Sequence, residues 1–195
     1  MWFTKQVALR LCLALLMVSV GSCAPRPLPS PVSGITLQPG RFLEGYYRAP
    51  GFAPAKVTYA LEPFVVEGAR GIDPDAFRDL LMTELPQALE ASGLKLKGPK
   101  GACRVSGIVS QVRVEGTHLR FLTGKISARL EVAGAITRED RTLFAFSDRV
   151  QVSSPVNPGP PAPKEQELLL RIAVRVFVNH LLTELLFQGP GDFEG

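Results

Sequence analysis

Histidine is scarce in this chain: His118 and His180 are the only two, 62 positions apart. No GxSxG, GxxxxGK[ST] or HExxH pattern and no repeated Cys/His spacing occurs, so the sequence offers no nucleophile elbow, phosphate loop or zinc-ligand set. A transition-metal site wants clustered imidazoles or carboxylates, and none is legible. Asp73 and Asp75 are accounted for by a helix cap, and Glu139-Asp140-Arg141 by a turn. No catalytic residue, metal or cofactor is expected. His180 sits in an apolar helical stretch, where a hydrogen-bonded core histidine is the expected role.

An excess of one charge sign is missing too. Twenty-two Lys and Arg face 18 Asp and Glu, too balanced for a global field that attracts nucleic acid or a membrane surface. Nucleic acid is therefore not an expected partner, and any basic patch must be local. Cysteine is limited to Cys12, Cys23 and Cys103. Cys103 lies in a strand with its phase turned inward and no histidine nearby, so it reads as a small core hydrophobe rather than a nucleophile. A long hydrophobic run is lacking as well. Leu11–Val20, interrupted only by Ser19, gives about 15 Å of helix, half of a bilayer's hydrocarbon core.

What is there begins with a leader. Lys5 and Arg10 without an acid, followed by that apolar run, have the build of a secretory signal peptide over residues 1–22. Val20-Gly21-Ser22-Cys23 resembles the lipobox of bacterial lipoproteins. The resemblance implies that Cys23 becomes the first residue of the mature chain, with diacylglycerol on its sulfur and an acyl chain on its amine. Each buried CH2 then contributes about 0.8 kcal/mol to membrane attachment. Ala24 stands where an inner-membrane lipoprotein of many Gram-negative bacteria carries aspartate, so the resemblance implies the periplasmic face of an outer membrane. The membrane, reached through this anchor, is the first expected partner. Without residues 1–22, 20 bases face 18 acids and Cys103 has no partner for a disulfide.

Ala24–Gly40 holds prolines at 25, 27, 29, 31 and 39 and reads as an extended tether of up to roughly 50 Å. Arg41–Phe52 is an aromatic segment that either grips a ligand or packs as an irregular arm; the arm is the expected role. Residues 23–56 thus form anchor, tether and arm, 57–188 a single folded domain, and 189–195 a flexible tail. Glu184–Pro190 resembles a protease-removal site but is read as native, with Gly189-Pro190 ending the last helix.

Within the domain, Val57, Tyr59 and Leu61 alternate as a strand, and Pro63 shifts the phase. Asp73-Pro74 opens a helix whose apolar face is Phe77, Leu81, Leu85 and Leu89, with a kink expected at Pro86 and an end at Gly93. Residues 94–96 read as a short strand. Residues 103–114 read as a longer one, with a bulge at Gly107 and Ile108, Val112 and Val114 inward. Residues 124–136 and 142–152 form a hairpin pair. A final helix from Pro163 to about Phe187 carries one narrow polar stripe, Arg171, Arg175, Asn179 and Thr183, and nearly everything else in it is Leu, Ile, Val or Phe, so it should be buried on several sides. The fold expected is α+β: a two-layer sandwich with a mainly antiparallel sheet of four to five strands and two helices on one face.

Period two then sends Arg104, Arg113, Lys125, Arg129 and Arg149 to the helix-free face, against Glu115 and Glu131. That face is either a solvated surface of cross-strand pairs or a binding face for lipid phosphate, envelope polysaccharide or an acidic partner. Leu119, Phe121 and Leu122, in the apolar turn between two strands, either continue a strand inward or form an exposed tip that enters a partner or membrane. In outline the chain resembles small outer-membrane lipoproteins, and among them the lipopolysaccharide-assembly lipoprotein. That resemblance implies binding of lipopolysaccharide or of an outer-membrane protein. Three functions compete: a non-enzymatic envelope lipoprotein acting in outer-membrane assembly or transport, a periplasmic activator of a cell-wall synthase, and a hydrolase, which would need a concave carboxylate or histidine site.

Overall fold

The structure, a computed structural model, describes residues 31–97, 102–116, 125–155 and 163–187. Residues 1–22 and Cys23, His118, the Leu119, Phe121 and Leu122 turn, and the tail from residue 188 lie outside the described residues.

The elements run β1 (Gly45–Arg48), a 3-10 turn (Pro54–Lys56), β2 (Thr58–Leu61), β3 (Val65–Val66), β4 (Ala69–Arg70), α1 (Pro74–Ala91), β5 (Lys95–Leu96), β6 (Cys103–Glu115), β7 (Ser127–Arg138), β8 (Arg141–Ser153) and α2 (Pro163–Leu186). All eight strands form one sheet in the order β1-β8-β7-β6-β2-β5, with β3 and β4 also on β6. The class is α+β as expected, but the sheet is larger and mixed. β2, β3 and β4 each run parallel to β6, and β5 is parallel to β2, because the chain crosses over through α1 before it returns to the sheet. The three pieces make one interrupted line along β6. β2 is the strand expected over residues 57–61; β3 and β4, two residues each and set off by Pro63 and Gly68, fall below the length at which alternation can be read.

Aromatic residues 41–52 do not form an irregular arm throughout. Gly45–Arg48 pairs antiparallel with β8 as an edge strand, and Gln38 bridges to Tyr46, so the end of the proline-rich segment is laid along the sheet.

Helix α1 begins as its sequence dictates, with Asp73 Oδ1 accepting from Asp75 N–H at 3.0 Å and Pro74 in the first turn. It continues through Pro86. It ends in a Schellman motif: Gly93 takes φ +79°, Gly93 N–H donates to Glu90 O, and Leu94 N–H to Leu89 O.

Register settles which side of each strand is buried. Val105, Val109, Val112, Ala128, Leu130, Val132, Ile136, Phe144, Phe146 and Val150 all face the helices and are almost fully buried. The expected bulge at Gly107 is displaced. The register shifts at Ser110 instead, so Val109 turns inward and Ile108 outward, at 37% exposure. Gly107 has a different reason to be glycine. It is paired with Gly134, which is paired with Phe146; a Cβ at 107 would strike the Phe64 ring and one at 134 the Phe146 ring. The glycine pair makes a trough that the two rings fill, and Phe146 packs on Phe177 of α2 at 6.0 Å between centroids. Helix α2 is buried through Leu169, Ala173, Val174, Phe177, Val178, Leu181 and Leu185, yet Leu168 and Ile172 beside its polar stripe are exposed.

Candidate anion-binding face

The helix-free face is built by the partners of the core residues. Parallel pairing of β4 with β6 sets Arg70 beside Arg113, and antiparallel pairing of β6 with β7 sets Arg113 beside Arg129. Three guanidinium groups from adjacent strands therefore stand in one row. Like charges directly opposite one another on a sheet repel. The row is moderated by carboxylates two residues along the same strands: Arg113 pairs with Glu115 and Arg129 with Glu131 at 3.1 Å. The Nε of Arg113 and of Arg129 are nevertheless buried with no hydrogen-bond partner among the described residues. An unmet donor on a cation is costly to leave unmade; the rest of the two side chains, 26% and 29% exposed, stand side by side and suit a single anion with two or more oxygens.

The five bases expected on this face do not act together. Arg113 and Arg129 are neighbours. Arg149 lies one row along, with Nε 3.0 Å from Glu131 Oε1 and Nη1 3.3 Å from Glu44 Oε1, so its charge is matched. Arg104 is near the far end, 3.9 Å from Glu62 and 3.6 Å from Asp140; these are exposed pairs, each worth about 0–1 kcal/mol. Lys125 precedes β7 and is exposed. Arg70 is the member that alternation did not reveal, because its strand is two residues long. The face is not uniformly wet: Ala135, Ala145 and Ser147 at its middle are buried, and Val65 and Ile108 are exposed.

A second polar cluster lies on the helix side. Asp148 falls in the inward phase of β8 between Phe146 and Val150, is 3% exposed, and places Oδ2 2.9 Å from His180 Nδ1. Burial raises its pKa; the hydrogen bond and charge of His180 and the backbone N–H groups of Arg149 and Glu44 pull it back only in part. His180 is thus a half-buried histidine, its side chain 31% exposed, tied to one carboxylate, where a core residue was expected. Cys103 is a free thiol in the core, and burial pushes its pKa up, which suits an inert thiol. Among the described residues, no three His, Cys, Asp or Glu side chains are grouped so that they could hold a metal, and no helix is long and apolar enough to cross a membrane.

No family model matches this sequence, and no curated protein matches it. Solved structures do. Protein XCC0632 from Xanthomonas campestris, of the DUF330 family, is 10% identical over 69% of this chain and 86% of its own, with a TM-score of 0.52. A minor lipoprotein from Acinetobacter baumannii is 15% identical over 66% of this chain and 91% of its own, with a TM-score of 0.43. At these identities the first similarity establishes a shared α+β fold and nothing more.

Proposed function

We propose that this protein is a non-enzymatic, membrane-anchored envelope lipoprotein that binds a partner protein or lipid in outer-membrane assembly or transport. The observation that carries the reading is the row Arg70, Arg113 and Arg129, on the face that no helix covers, with two buried guanidinium Nε groups lacking partners. A sheet stabilised for its own sake would not set three like charges abreast. An incoming phosphate or carboxylate relieves the repulsion by binding the exposed ends of these side chains. The lipobox-like Val20-Gly21-Ser22-Cys23 supplies the attachment, and lipopolysaccharide, with its phosphates, is the ligand that fits face and location together.

The test uses the chain from Ala24 onward, free of the acyl anchor, and its Arg113→Gln/Arg129→Gln variant with purified lipopolysaccharide. The wild type should bind in a salt-sensitive manner, and the double variant at least tenfold more weakly. The variant should be no less stable, since its removal of adjacent like charges offsets the lost pairs with Glu115 and Glu131. A wild-type protein that ignores both lipopolysaccharide and anionic vesicles ends this reading.

A further inference from the structure

We infer that the C-terminal end of α2, with the segment laid against it, is a surface that settles into an anionic lipid leaflet; the inference rests on the reading of Cys23 as the lipid anchor. Phe42, Leu186 and Phe187 are 38%, 38% and 37% exposed. They form one patch. The Arg41 guanidinium bridges the two rings, 5.9 Å from the Phe42 centroid and 5.3 Å from that of Phe187. Leu186 lies where two shallow hollows meet, one shared with Phe187 and Leu182 and the other with Lys56 and Phe52. No acidic side chain lines either hollow among the described residues, while Arg41 and Lys56 are exposed at their margins. Aromatic rings and leucine ringed by cations are what an anionic membrane interface takes.

The patch is held in shape. Glu184, 3% exposed, accepts from the backbone N–H of Arg41, Phe42 and Leu43 at 2.8, 2.8 and 3.4 Å through one carboxylate oxygen. Arg48 Nη2 donates to the carbonyls of Glu184 and Leu185 at 2.8 and 2.6 Å, meeting the carbonyls that the end of a helix leaves open. A rigid surface loses little side-chain freedom on binding. Charge and tether length together select lipid as the occupant. Eight extended steps from Cys23 to Pro31 span at most about 30 Å, so an acylated Cys23 keeps the start of the described chain within reach of the leaflet, and that chain leads through Gln38, bridged to Tyr46, into Arg41 and Phe42 of the patch.

A fluorescence measurement decides. Trp2, the only tryptophan, leaves with residues 1–22 when Cys23 is acylated and is replaced by Phe so that no uncleaved chain contributes; Phe187→Trp and Leu168→Trp then place one reporter toward each end of α2, about 28 Å apart at 1.5 Å per residue. Leu168 is 56% exposed, so both sites accept the ring. Each mature, lipidated protein is reconstituted in vesicles of brominated phosphatidylglycerol and phosphatidylethanolamine. The reporter at 187 should shift to the blue and be quenched, and that at 168 should do neither; equal quenching, or quenching only at 168, overturns the inference. The mass of the purified protein judges the anchor separately. If Cys23 carries no acyl chain, that reading falls, and the patch stands or falls on quenching at 187 by vesicles added from solution. There Lys56→Gln should weaken binding about fivefold, from ~1 kcal/mol per basic residue at such a surface.

Discussion

Gly107 and Asp148 each occupy a place where side-chain size or charge is set by one neighbour. A methyl at 107 meets Phe64 and lies 2.8 Å from the Ala133 carbonyl oxygen, so neither the sheet nor the ring can yield cheaply. Gly107→Ala should lower stability by about 1–3 kcal/mol, the usual cost of overpacking, read from urea unfolding. Asp148 obeys a different rule. Its folded-state pKa lies above the ordinary 3.8, so the folded protein holds that proton more tightly than the unfolded chain. The stabilisation is complete below the ordinary value and is lost as pH rises through the raised one. Asp148→Asn has no such titration and still offers an oxygen to His180. Thermal unfolding across the acid range should show the variant gaining on the wild type as pH rises; a difference independent of pH would refute the assignment.

At the scale of elements, the β7–β8 hairpin carries a local conflict. Glu139 and Asp140 take φ of 50° and 61°, the left-handed pair demanded by a two-residue turn of this twist, where Asn-Gly is preferred. Replacing Glu139-Asp140 by Asn-Gly should stabilise the protein by about 1 kcal/mol, since non-glycine residues resist that conformation, and the melting temperature checks it. The same hairpin was legible because β7 and β8 alternate over a dozen residues, and α1 because cap, proline, apolar spacing and Gly93 agree. β2 was legible by its alternation, but its continuation through β3 and β4 was not: those two-residue pieces are set by pairing to β6, a tertiary fact with no local period, and Arg70 lies in one of them. The outward turn of Ile108 was hidden likewise, since a bulge at Ser110 leaves no mark on sequence that distinguishes it from one at Gly107. Arg113 and Arg129 were legible from alternation alone; that Arg149 is neutralised by Glu44 and Glu131 required knowing that the segment after Gly40 crosses to β8.

In the whole molecule, the two layers are coupled at one corner. Gly40 to Arg48 connects the N-terminal segment to the sheet through β1 and to the end of α2 through Glu184 and Arg48. A Cβ at Gly40 would lie 2.6 Å from the Leu43 carbonyl oxygen and 2.9 Å from Glu184 Oε2, so the turn closes tightly around the carboxylate. This corner ties the N-terminal segment to the core. Removing the carboxylate in Glu184→Ala leaves three backbone N–H groups without their acceptor and should cost about 3 kcal/mol. Glu184→Gln keeps one acceptor oxygen and should cost roughly 1 kcal/mol, the worth of a charge-assisted bond made neutral. Amide exchange distinguishes a local latch from a general core defect. In Glu184→Ala the N–H groups of Arg41, Phe42 and Leu43 should exchange faster than those of β6 and β7, because the segment lifts while the central hairpin holds. Uniform acceleration across the sheet would show instead that Glu184 acts on the fold as a whole.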